Sequence, residues 1–168
     1  MTKPSLAFRP MQENDLEQVN AVEQQSAKHP WRKAHFSDSL KAGYTCELAV
    51  LGNRIVGHCV MMMVSGEASI LILTVDKNFQ RRGIGRQLLH HVMKKATESN
   101  CETILLEVRR SNLKAFDLYL NRGFSEIGIR KNYYPMESGW EDAIVMAIDT
   151  ETFLTTACSG HDTLEQPP

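Results

Sequence analysis

Cysteine is scarce and scattered in this chain of 168 residues: Cys46, Cys59, Cys101 and Cys158 are the only four, and no two stand in a CxxC pair. That spacing argues against a zinc knuckle. Cys59 and Cys101 lie inside apolar runs and read as buried thiols, so a disulfide framework is not expected and a reducing compartment is. Long hydrophobic runs are missing as well. The longest, near Val60–Val64, is far too short to span a bilayer. Residues 1–10 hold no apolar h-region, so a signal peptide is not expected. Charge of one sign is nowhere concentrated. The net charge is -1, and the basic pairs Arg81-Arg82, Lys94-Lys95 and Arg109-Arg110 are too brief to form tails or a nucleic-acid stripe. No internal repeat is visible. These absences point to a cytoplasmic protein with neither a membrane nor a nucleic acid as its direct partner.

What is present suffices for one core. Hydrophobic residues make up 42% of the chain and charged residues 23%, the balance of an ordinary globular domain. Residues 6–10 alternate and read as a strand. Asn14 or Asp15 is placed to cap a helix running to about Ala27, with Leu16, Val19 and Val22 at helical spacing. His29-Pro30-Trp31 breaks that helix, and a shorter one over 33–41 ends at Gly43. Cys46–Leu51 and Arg54–Val64 flank a Gly52-Asn53 turn, and Ala68–Val75 follows a second turn, so an antiparallel meander is expected. Arg86 to about Ser99 is a strong amphipathic helix, with Leu88, Leu89, Val92, Met93 and Ala96 on one face. Cys101–Val108 is a strand. Ser111-Asn112 caps a helix that ends at Gly123. Phe124–Lys131 and Asp142–Ile148 are strands around a loop over 132–140. The order implies an α+β domain over residues 1–154. The polar segment 155–168, ending in two prolines, reads as a flexible tail.

The segment between the third meander strand and the long helix carries the chemistry. It reads Val75-Asp76-Lys77-Asn78-Phe79-Gln80-Arg81-Arg82-Gly83-Ile84-Gly85-Arg86. A helix that starts directly after a strand and a glycine turn points unpaired N–H groups and its positive dipole end outward, which makes an anion site. Gly83 and Gly85 let the backbone approach a phosphate, and Arg81, Arg82 and Arg86 add positive charge. The glycine spacing does not fit the Rossmann fingerprint, and no Gly-Lys-Ser/Thr of a Walker loop is present. A plain turn with solvated arginines is the alternative that this strand-to-helix context disfavours.

In that context the pattern Gln80-x-x-Gly83-x-Gly85 resembles the pyrophosphate loop of the GCN5-related N-acetyltransferases, and the element order resembles that family from about residue 6 to 149. Within it the chain is similar to the RimI group. The similarity is carried by Leu106-Glu107-Val108-Arg109, Ser111-Asn112, Ala115, Leu118-Tyr119 and Gly123-Phe124. It is also carried by Arg130-Lys131-Asn132-Tyr133-Tyr134-Pro135 before Glu141-Asp142-Ala143, and by His29-Pro30-Trp31. The resemblance implies a mixed, mostly antiparallel central sheet flanked by helices. It implies acetyl-CoA as co-substrate, no metal, and direct transfer in a ternary complex to the N-terminal alanine of a small-subunit ribosomal protein. An acetyltransferase for lysine or small amines, or a non-catalytic acetyl-CoA-binding module, are the other readings the family permits.

Amide formation from an amine and a thioester needs a neutral amine, and an α-amine titrates near about 8, a lysine near about 10.4. A base is therefore required, and an acid helps the thiolate leave. Glu107 sits in an otherwise apolar strand, where a carboxylate is costly unless it faces a cleft or a partner. A salt bridge with Arg109 on the same strand face is the plain reading; the resemblance implies the general base. Tyr119 shares a helix face with Phe116 and reads as a core tyrosine; the resemblance implies the acid that protonates CoA. Asn112 reads as a helix cap and, by resemblance, as a CoA contact. Leu73, Thr74 and Val75 would pair with the acetyl and pantetheine amides through their backbone, which makes their side chains nearly irrelevant. Cys59, Cys101 and His58 read as packing. Tyr133, Tyr134, Glu137 and Trp140 form an aromatic, acidic segment suited to a lid over a peptide, and Glu141-Asp142 to holding a basic one.

Overall fold

The structure, a computed structural model, describes residues 5–159. They fall into two compact units divided between Cys101 and Glu102.

The first unit holds β1 (Leu6–Pro10), α1 (Leu16–Ser26), α2 (Lys33–Lys41), β2 (Thr45–Leu51), β3 (Arg54–Val64), β4 (Glu67–Val75) and α3 (Ile84–Glu98). Each strand pairs antiparallel with its sequence neighbour, in the order β1-β2-β3-β4. The hairpin turns need left-handed residues, which Gly52 (φ 62°) and the Ser65-Gly66 pair (φ 49° and 80°) supply. Successive strand side chains point to opposite faces. Glu47 on β2 therefore meets His91 of α3, while His58, next to Cys59 on β3, meets Glu23 of α1. Helices cover both faces, which is why β2 and β3 are buried almost continuously rather than alternately. Met11, Leu16, Val19, Phe36, Leu48 and Val60 fill the α1–α2 side. Leu88, Leu89, Val92 and Met93 of α3 are fully buried. Each such side chain contributes about 1.5–3 kcal/mol of transfer free energy.

The second unit holds β5 (Thr103–Arg109), α4 (Leu113–Leu120), β6 (Ser125–Met136), β7 (Gly139–Asp149) and α5 (Thr150–Ser159). β7 pairs antiparallel with both β5 and β6, so β6 stands at the edge of its unit. Gly123, at φ 92°, closes α4, and the Phe124 N–H returns to the Tyr119 carbonyl.

The α+β class and the element order follow the sequence reading, with four corrections. Asp15 does not cap α1 through its side chain; a short 3-10 turn precedes the helix, and the Asp15 carboxylate accepts from Gln12 N–H and from Arg9. Helix α3 begins at Ile84, which puts Ile84, Gly85 and Arg86 in its first turn. The segment 132–140, read as a loop, is mostly ladder: β6 runs to Met136, β7 restarts at Gly139, and the extra residues are absorbed as a bulge between Arg130 and Tyr134. Finally, α5 runs past the boundary drawn at residue 154, so 155–159 is helical; residues 160–168 of the expected tail lie outside the described residues. Thr150 starts this helix, with its N–H and hydroxyl both donating to the Glu102 carbonyl, and Phe153 is its buried anchor.

Candidate functional site

The glycine loop turns from β4 directly into α3. Gly83 caps α3 at φ 75°, and Arg81 stands at φ 65°, a region non-glycine residues rarely enter. Such a value is otherwise seen among the described non-glycine residues only at the turn and bulge residues Ser65, Asn100 and Asn132. The first helical bond is Gln87 N–H to the Gly83 carbonyl, so the N–H groups of Ile84, Gly85 and Arg86 precede the intrahelical ladder. Arg81 and Arg86 are exposed. Arg82 is exposed too, but it is tethered: its guanidinium donates to the Asn78 carbonyl at 3.1 Å and lies over the Phe79 ring. Arg54 covers the same ring and pairs with the buried Asp76 carboxylate at 3.0 Å. Asp76 in turn accepts from Asn78 N–H, which fixes the entry of the loop.

The end of β4 is held from several directions. Leu73 stands opposite Cys59, Thr74 opposite His58 and Val75 opposite Gly57. A Cβ on Gly57 would lie 3.0 Å from the Thr74 carbonyl oxygen, so glycine allows this close approach without displacing the strand end. The Val75 carbonyl accepts from the Gln80 side chain at 3.0 Å. The Thr74 side chain is not the indifferent one the sequence suggested. Its hydroxyl donates at 2.8 Å to the Glu23 carboxylate, which also bonds His58 Nε2 at 3.0 Å and Trp31 N–H at 3.0 Å. Glu23 and His58 have no exposure. Burial pushes the Glu23 carboxyl up, but the bonds to His58, Trp31 and Thr74 outweigh it and hold the group below its ordinary range. His58 is thus one arm of a buried polar network rather than simple packing; nothing in the local sequence marks it.

In the second unit Glu107 is the centre of a charged and aromatic array. It pairs with Arg130, not with Arg109: Arg130 Nε lies 2.6 Å from Glu107 Oε1. Arg109 pairs instead with Glu141 at 3.3 Å and lies 4.2 Å over the Tyr134 ring. The Tyr133 hydroxyl hydrogen-bonds to Glu107, and this bond, with burial, raises the phenol above its ordinary value. Tyr134 is pushed up to about 12, by burial first and by Glu107 second. Tyr134 is therefore a half-buried platform under Arg109, and the exposed aromatics of the hairpin are Tyr133 and Trp140. Glu141 and Asp142 are occupied by their own chain. Glu141 accepts the Ser111 N–H at 2.6 Å, and Asp142 accepts from Asn132 N–H and Lys131 and pairs with Arg110. Asn112 caps α4, its side-chain oxygen accepting from Ala115 N–H at 3.3 Å. Tyr119 is buried on α4, its ring 5.8 Å from that of Phe124.

Three of the cysteines, Cys46, Cys59 and Cys101, are buried thiols. Burial raises Cys46 to about 11 and Cys59 further still, and Cys101 is also buried and raised. No described helix is long and apolar enough to cross a membrane.

A strand end, a glycine turn and a helix start thus follow one another directly between β4 and α3. The chain belongs to the acetyltransferase (GNAT) family, whose sequence profile matches residues 9–124. The ribosomal protein bS18-alanine N-acetyltransferase of Salmonella typhimurium is 37% identical over 134 residues, covering 80% of this chain and 90% of that protein. The Escherichia coli protein of the same name is 34% identical over 138 residues, or 82% and 93%. The crystal structure of the E. coli ribosomal-protein alanine N-acetyltransferase matches with a TM-score of 0.82 at 32% identity, covering 87% of this chain and 94% of that one. Ard1 from Thermoplasma volcanium matches with a TM-score of 0.77 at 27% identity, over 86% and 97%. The fold is that of the family.

Proposed function

We propose that this protein is an acetyl-CoA-dependent protein N-α-acetyltransferase whose acceptor is the N-terminal alanine of the ribosomal protein bS18. The observation that carries the reading is the likeness to enzymes so named, at 34% to 37% identity over about four-fifths of the chain. With such an acceptor the protein would work in the cytoplasm.

The residues divide the work as follows. The N–H groups of Ile84, Gly85 and Arg86, with Gly83 opening the approach and Arg81, Arg82 and Arg86 supplying charge, take the pyrophosphate of acetyl-CoA. Backbone groups of Leu73, Thr74 and Val75 take the pantetheine amides and the acetyl thioester carbonyl, and Asn112 contacts CoA. Donors of this kind also polarise the thioester carbonyl as charge develops on its oxygen. Glu107 accepts the proton of the acceptor amine, the amine attacks the thioester carbon, the C–S bond breaks, and Tyr119 gives its proton to the departing CoA thiolate. The proton on Glu107 and the vacancy on Tyr119 are balanced by solvent exchange. No step needs a covalent enzyme intermediate. The presence of both Glu107 and Tyr119 favours a transferase over a module that only binds acetyl-CoA.

Steady-state kinetics of two variants test the assignment. Glu107→Gln and Tyr119→Phe should each lower kcat by about a hundredfold or more. Acetyl-CoA binding, measured by calorimetry, should stay near the wild-type value. Wild-type turnover in Glu107→Gln would remove the general base from this account.

A further inference from the structure

The Glu107–Arg130 contact is more than a pair of neighbouring charges, because the sheet register is arranged to allow it. Glu107 stands opposite Val145, which stands opposite Gly128; Arg109 stands opposite Ala143, which stands opposite Arg130. These two rows share one face of the second unit. The Arg130 side chain therefore reaches diagonally across β7, past Ala143 and Val145, to a carboxylate two strands away. A second donor arrives from the same segment. The bulge between Arg130 and Tyr134 is held by Asn132, at φ 51°, whose N–H is fixed by Asp142 Oδ1 at 3.0 Å. This bulge brings the Tyr133 hydroxyl to Glu107, and the Tyr133 ring carries the Arg130 guanidinium at 5.5 Å. Bulges re-aim side chains beside working sites, and a non-glycine residue kept in the left-handed region is a feature that needs a reason. Arg130 is largely exposed, with 57% of its side chain accessible against 25% for Glu107, so the pair contributes little to stability.

A carboxylate has about four lone-pair sites, and Arg130 and Tyr133 occupy two. We propose that Arg130, supported by Tyr133, is a positioning residue for Glu107: it fixes the carboxylate so that a remaining lone pair faces the acceptor amine. This rests on the reading of Glu107 as the general base. Charge-assisted bonds of this kind hold direction as well as charge, and a base must be aimed before its basicity matters.

The test is a set of steady-state measurements on the full chain with acetyl-CoA and a peptide carrying a free N-terminal alanine. The variants are Arg130→Met, Arg130→Lys, Tyr133→Phe, Glu107→Gln and the double variant Glu107→Gln/Arg130→Met. Arg130→Met should lower kcat by about tenfold or more, with the KM for acetyl-CoA held within about twofold. Arg130→Lys should recover about threefold of that loss, since it restores charge without the planar donor. Tyr133→Phe should fall between Arg130→Met and wild type. The double variant should match Glu107→Gln alone, because two residues acting as one unit are not additive. Melting temperatures within about 2 °C of wild type would show that the fold is intact. Full kcat in Arg130→Met alongside an impaired Glu107→Gln would overturn the positioning role and leave the base assignment standing. An equal Arg130→Met loss with and without Glu107 would overturn it as well, by showing that Arg130 acts elsewhere. Full activity in Glu107→Gln would instead remove the base, and the positioning role with it.

Discussion

The imidazole Nε2 of His58 lies 3.0 Å from the Glu23 carboxylate, and neither side chain has any exposure. Removing one partner leaves a buried polar group without its hydrogen bond, at a cost of about 1–3 kcal/mol. His58→Ala and Glu23→Ala should each lose stability on that scale, measured by urea unfolding. Acid should expose the same network. Glu23 is held below its ordinary value of 4.5, so its contribution is fully present above that pH and is lost as pH falls through the lowered folded value. In Glu23→Gln the acid limb of stability against pH should flatten; an unchanged limb would mean that other carboxylates govern it.

That network was not legible in the sequence, and the reason is geometric. Its members, Glu23, His58 and Thr74, are separated by 35 and 51 positions, and only the antiparallel register that sets His58 opposite Thr74 brings them together. The same holds for Glu107. Its place in an apolar strand signalled an unusual carboxylate, but its partner depended on the β6–β7 register and a bulge, and the guess of Arg109, two residues along, was displaced by Glu141 from 32 positions away. The turn from β4 into α3 was readable because it is local: strand end, glycine turn and helix start are consecutive, and Gly83 takes the left-handed value at the helix start. Helix α5 was missed because its threonines give neither helical propensity nor an apolar stripe; burial of Phe153 supplies the anchor instead.

Gly57 should accept a side chain only at a cost. A Cβ there would lie 3.0 Å from the Thr74 carbonyl, so the end of β4 must give by a few tenths of an ångström, while Leu88 at 3.5 Å is in ordinary contact. Gly57→Ala should cost about 1–3 kcal/mol. It should also raise the KM for acetyl-CoA more than that for the acceptor peptide. Equal effects on both would argue against a role for this strand end in holding the cofactor.

Gly83 is the opposite case, because space is not limiting. The nearest atom to an added Cβ is the Gln87 side-chain nitrogen at 3.9 Å, so the strain of Gly83→Ala comes from φ 75° alone. The stability loss should be about 1 kcal/mol. A methyl group in the path of the pyrophosphate should raise the KM for acetyl-CoA by about tenfold or more. An unchanged KM would count against the loop as the phosphate site.

Glu141 holds the corner where β5 leads into α4. It accepts the Ser111 N–H at 2.6 Å and pairs with Arg109; the Ser111 side chain first, then the Ser111 N–H and Arg109, hold its carboxyl below the ordinary range against burial. Glu141→Gln should cost about 1–2 kcal/mol in chemical denaturation, the scale of a charged hydrogen bond. It should lower kcat less than Glu107→Gln does, since Glu141 acts only on the frame that carries Asn112.

The acceptor is the centre of the account, and one measurement addresses it directly. Mass spectrometry would follow acetyl transfer from acetyl-CoA to two peptides, one with the free N-terminal sequence of the host's own bS18, the other with a blocked α-amine and a free internal lysine. Acetylation of the first alone is the predicted result. Acetylation of the second alone would contradict the account and make the protein a lysine acetyltransferase.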